Sequence, residues 1–149
     1  MWCKQERQYG LDRQRWAYAG GVTDPQYAVD VFSRRCPSRE TMQDITSRWG
    51  VLALAALHDG PHRFGELRRR VDGVSERMLA QTLQRLERDG LVARTVLTQI
   101  PPAVEYTLTD LGRATAAPLV ALIGVVEHRI DEVMTARAEY DRRTACAGG

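Results

Sequence analysis

Ser75-Glu76-Arg77-Met78-Leu79-Ala80-Gln81-Thr82-Leu83-Gln84-Arg85-Leu86-Glu87-Arg88-Asp89-Gly90 is the stretch on which the fold turns. Ser75 is a good N-cap and Gly90 a good release, so a helix is predicted over 76–89. At about 100° per residue, Leu79, Leu83 and Leu86 fall together, with Met78 and Thr82 on their flank. Opposite them stand Arg77, Gln81, Gln84 and Arg88, with Arg85 at the edge. The leucine face must dock on a domain. The other face carries forked cations and amides, the groups that read base edges and phosphates in a major groove. Ser75 adds a hydroxyl at the end where such a helix enters deepest. A solvated helix also carries arginine and glutamine, so the neighbouring segments decide between the two readings.

Upstream, Arg63-Phe64-Gly65-Glu66-Leu67-Arg68-Arg69-Arg70 reads as a short helix, about 63–70, with Phe64 and Leu67 on one buried face. Asp72-Gly73 makes the turn, and two helices joined by a tight glycine turn are helix-turn-helix syntax. The triple arginine 68–70 can extend phosphate contact or simply be solvated. Downstream, Leu91 to Leu97 and Ala103 to Leu108 read as two strands around Pro101-Pro102, with Val104, Tyr106 and Leu108 alternating. That hairpin is the wing, and Arg94 on its first strand is a further candidate for phosphate contact. Thr109 caps a helix beginning Asp110-Leu111-Gly112, which Pro118 is expected to kink or restart.

Further out, Cys36-Pro37-Ser38 opens a first helix, about 38–47, with Ser38 as the expected cap. Trp49 to Leu57 is apolar on nearly every side and should be the central buried helix, stopped by Gly60-Pro61. A last long helix, about 119–140, places Leu119, Leu122, Ile123, Val126, Ile130, Val133 and Met134 on one stripe. Such a seam must pack on its own domain or on a second subunit. The chain thus divides into an N-terminal extension (1–35) without sustained periodicity, a winged helix-turn-helix DNA-binding domain (36–118) and a C-terminal dimerisation helix with its tail (119–149). The expected fold class is α+β, mainly α, with a two-stranded β wing.

Composition limits the alternatives. A hydrophobic share of 44% over 149 residues suffices for one packed core, and 27% charged residues are too few for wholesale disorder. The net charge of +2 names no partner; the near absence of lysine (Lys4 alone) leaves arginine to carry the cationic chemistry. Cys3, Cys36 and Cys146 are odd in number and far apart, which fits a reducing cytoplasm and gives no zinc spacing. The opening MWCKQERQYG lacks the apolar core of a secretory signal, and no apolar run reaches the ~20 residues of a membrane span. His58, His62 and His128 belong to no triad or metal constellation, and no Walker loop or dinucleotide fingerprint is present. An enzyme is therefore not expected, and neither a cofactor nor a metal.

From Cys36 to about Val126 the chain resembles the HxlR branch of winged-helix regulators, within the wider MarR-like group. Four segments carry the resemblance: Arg48-Trp49, Arg63 to Leu67, Gly73-Val74-Ser75 through Gly90-Leu91-Val92, and Pro101-Pro102 through Leu111-Gly112. It implies a homodimer joined through terminal helices that binds double-stranded DNA at a near-palindromic operator. It also implies, for several members, a response to oxidants or electrophiles through a cysteine just before the first helix, a position that Cys36 matches. Many relatives carry arginine where this chain has Thr82, Gln84 and Ala103, so the wing here is less basic.

The residues around Cys36 give a reason of their own. Arg34, Arg35 and a helix start favour the thiolate, the form that oxidants attack. A cysteine at a domain edge can equally be a small apolar residue. Two other functions stay open beside an oxidant-switched regulator: one switched by a small ligand, and a dimeric interaction module that no longer binds DNA.

Overall fold

Six leucines, Leu54, Leu67, Leu79, Leu83, Leu86 and Leu91, are each at most 1% exposed and fix how the elements meet. Each fully buried leucine contributes roughly 1.5–3 kcal/mol relative to an exposed one. The computed structural model describes residues 31–32, 36–99 and 102–147. In chain order the elements are α1 (Pro37–Thr46), α2 (Arg48–His58), β1 (His62–Arg63), α3 (Phe64–Arg70), α4 (Glu76–Arg88), β2 (Val92–Gln99), β3 (Pro102–Leu108), α5 (Asp110–His128) and α6 (Ile130–Ala147).

The core lies where α2 crosses α4 and α5. Ala53, Leu54, Ala56 and Leu57 of α2 meet Leu79, Leu83 and Leu86 of α4, with Ala116 of α5 and Leu108 of β3 closing the same cluster. Trp49, Phe64, Tyr106 and Leu119 pack around its rim. The apolar character of α2 is thus used on several sides at once, as a central helix requires.

Side-chain caps set where the helices start. Ser47 Oγ accepts from Gly50 N at 3.0 Å and opens α2, and Thr109 Oγ1 accepts from Gly112 N at 3.0 Å and opens α5. The N-cap of α1 is Cys36, two residues earlier than the expected Ser38. Proline at the first helical position explains this: its fixed φ suits N1, and the missing N–H has no helical partner there anyway.

The sheet is three-stranded and antiparallel, in the order β1-β3-β2. β2 and β3 form the expected hairpin, with Val92 opposite Leu108, Arg94 opposite Tyr106, and an irregularity between Val96 and Thr98. The two-stranded wing therefore gains a third member, β1, which pairs His62 with Tyr106 and Arg63 with Glu105. Two residues have no periodicity to read, and their partners lie more than forty positions away.

The C-terminal half departs furthest from expectation. α5 runs without interruption through Pro118, because Gly112 and Ala116 are buried and Leu119 packs on the core. Losing one backbone donor does not outweigh that packing. The helix ends instead at His128, with Arg129 as its C-cap, so the expected single helix over 119–140 is divided between α5 and α6. The boundary expected between 118 and 119 thus falls within α5.

Candidate nucleic-acid interface

α3 and α4 are joined through Val71–Ser75, where Gly73 takes φ +81°, a left-handed conformation that glycine adopts freely. Val71 and Val74 are buried on either side of it, so the turn is anchored in the core and not only in its backbone. Ser75 Oγ accepts from Met78 N at 3.2 Å, fixing the first turn of α4. Leu79, Thr82, Leu83 and Leu86 then face inward, and Thr82 returns its hydroxyl hydrogen to Met78 O at 2.8 Å. The outward side carries the row Arg77, Gln81, Gln84, Arg85 and Arg88, with Glu76, Met78, Ala80 and Glu87 exposed beside it.

This row has two halves. Arg77, Gln81 and Gln84 project from the first and middle turns, and none enters an ion pair or side-chain hydrogen bond among the described residues. Arg85 and Arg88, in the last turn, reach back to α1: Arg85 Nη1 lies 3.5 Å from Asp44 Oδ1, and Arg88 Nη2 lies 3.0 Å from Glu40 Oε1. Glu40 and Asp44 were not singled out from the sequence. They stand four apart on one face of α1, but only the tertiary fold shows which helix that face meets.

The triple arginine is also partly engaged. Arg68 Nη1 donates to Glu76 Oε1 at 2.5 Å, and Arg70 lies 3.6 Å from Asp59. Arg94 is exposed on β2 opposite Tyr106. Ala103 begins the described side chains of β3, so no basic group stands at that position of the wing.

Cys36 is only 7% exposed, and its Sγ lies 2.9 Å from Ser38 Oγ. Any reagent must therefore be small or must wait for the first turn of α1 to open. Arg34, Arg35 and Cys3 lie outside the described residues, and for Cys146 the backbone at the end of α6 is described.

The C-terminal stripe divides by depth. Leu119 packs on the core and Ile123 and Val133 are half-buried, while Leu122, Val126, Ile130 and Met134 are 44–58% exposed. Val125 and Tyr140, which the periodic stripe did not include, are exposed as well. Among the described residues no group of three His, Cys, Asp or Glu side chains could hold a metal, and no helix is long and apolar enough to cross a membrane. An open hollow of about 510 Å³ beside β1 and α3 is lined by Pro61, His62, Glu66, Arg69 and Arg70, away from the stripe.

Known proteins share this arrangement. The Escherichia coli helix-turn-helix-type transcriptional regulator YtfH, itself uncharacterized, is 49% identical over 110 residues, covering 74% of this chain and 87% of YtfH. The solved transcriptional regulator ytfH from Salmonella typhimurium superimposes with a TM-score of 0.70 at 49% identity, over 73% of this chain and 97% of that one. The redox regulator HypR in its reduced form gives a TM-score of 0.61 at 34% identity, over 66% of this chain and 98% of its own. The model for HxlR-like helix-turn-helix proteins matches residues 44–134, from within α1 to within α6, and so takes in the capped α4, the glycine turn before it and the whole wing. On that match and that architecture, the chain belongs to the HxlR-like helix-turn-helix family.

Proposed function

We propose that the chain is a transcriptional regulator that binds duplex DNA in a sequence-specific manner as a homodimer, and that α4 is its recognition helix. The observation that carries this reading is the row Arg77, Gln81 and Gln84, turned outward by the three buried leucines behind it. Arg77 and Gln81 stand one turn apart near the capped end of α4 and read base edges, while Arg85, Arg88 and Arg94 meet phosphates. The exposed apolar residues of α5 and α6 join two copies, whose half-sites lie about 10 base pairs apart or a multiple of that, on an imperfect palindrome. Its role is binding and not catalysis, in the cytoplasm beside the DNA it reads.

The test is a pair of variants titrated on the DNA flanking its own gene and on scrambled duplex, at two salt concentrations. Arg77→Ala is expected to lose about 1–3 kcal/mol on the true operator and to relax preference at one base position. Arg94→Ala is expected to weaken both duplexes alike and to flatten the salt dependence by roughly one unit per half-site. Equal loss on both duplexes in both variants would sink the division of labour.

A switch at Cys36 is favoured by its place at the start of α1 and by the likeness to a protein named as a redox regulator. The thiol oxidant diamide is expected to lower operator affinity of the native chain and to leave Cys36→Ser unaffected. Release that persists in Cys36→Ser would refute the switch.

A further inference from the structure

Arg85 and Arg88 are not idle cations awaiting DNA. Each already holds a carboxylate from α1, and the two acids, Glu40 and Asp44, are spaced one helical turn apart so that they meet two arginines spaced three residues apart on α4. The guanidinium fork binds carboxylate and phosphate by the same geometry, so the two compete for it. Asp44 is a well-placed competitor, with its side chain only 16% exposed, while Arg85 remains 62% exposed and open to solvent on its outer side. Glu40 and Arg88 are both mostly exposed, so that pair can exchange readily.

We propose that Glu40 and Asp44 are affinity-setting residues of the DNA interface, carboxylates that hold Arg88 and Arg85 in place of phosphates. The inference rests on the DNA-binding reading above. A phosphate that approaches the end of α4 must displace a carboxylate or sit beside its charge. The contact is an exchange, not a gain. Arg77 and Gln81 carry no such tie among the described residues, so the restraint falls on the end of α4 that meets the backbone and spares the end that meets bases. Binding to arbitrary duplex rests on phosphate contacts alone and is therefore weakened, whereas a true operator keeps its base contacts.

The experiment titrates the full chain and its Glu40→Gln Asp44→Asn variant on two duplexes of unrelated sequence at low salt. The variant is expected to bind both about 2- to 30-fold more tightly per half-site, the range that the two exposed ion pairs of each chain can restrain. The same substitutions are then placed in an Arg85→Ala Arg88→Ala background, where the gain is expected to vanish. A gain that survives there is a general effect of the removed negative charge and overturns the proposal. Glu40→Gln with Arg88→Ala repeats the cycle at positions exposed enough to leave the fold intact. If the native chain binds duplex and the variant gains nothing, this inference alone fails. If neither binds any duplex, the DNA-binding reading fails and takes this one with it.

Discussion

The leucines of α4 and the apolar stripe of α5 and α6 follow the same three- and four-residue spacing, yet they end in opposite surroundings. Leu79, Leu83 and Leu86 are sealed inside the chain, while Leu122, Val126, Ile130 and Met134 stand about half exposed. Periodicity therefore says that a face must be covered and leaves open what covers it. For α4 the cover is α2, because the glycine turn folds the two helices back onto the core. For α5, among the described residues, only the first half finds a cover, through Gly112, Ala116 and Leu119.

Two substitutions break this comparison from either side. The larger effect belongs to Leu83→Ala, which removes a buried side chain between α4 and α2 and leaves a cavity. Chemical denaturation is expected to show a loss of about 2–5 kcal/mol. Val126→Glu is expected to spare the fold of the single chain, since that side chain is half exposed already. In sedimentation at micromolar concentration it should instead raise the dimer dissociation constant about 30-fold, roughly 2 kcal/mol. A variant that unfolds, or a native chain that sediments as a monomer, would show that the stripe is covered in some other way.

What could be read in advance follows the same line. The span of α4, its Ser75 cap, the Gly73 turn and the Thr109 cap were legible because each is set by residues within a few positions of one another. β1 was not, since His62 and Arg63 become a strand only when Tyr106 and Glu105 arrive beside them. Pro118 suggested a kink or a fresh start; the fresh start does not occur, because α5 packs on α2 on both sides of that position and the helix runs on to His128. The difference between the two ends of the outward row on α4 was half legible. The outward row could be counted on the helix, but the tie between its last two arginines and Glu40 and Asp44 joins residues more than forty positions apart. Long-range ion pairs leave no periodic trace.

Gly112 has a consequence for how mutational surveys of this molecule should be read. A Cβ there would lie 1.9 Å from the Leu91 carbonyl oxygen, where the start of α5 presses on the root of the wing. Thr109 Oγ1 donates to Gly90 O at 2.6 Å across the same join. Every side chain larger than hydrogen would be rejected, so a saturation library would return position 112 as intolerant to replacement. Such a blank would look like a functional hotspot beside the candidate DNA-reading surface. It would report crowding between two stretches of backbone.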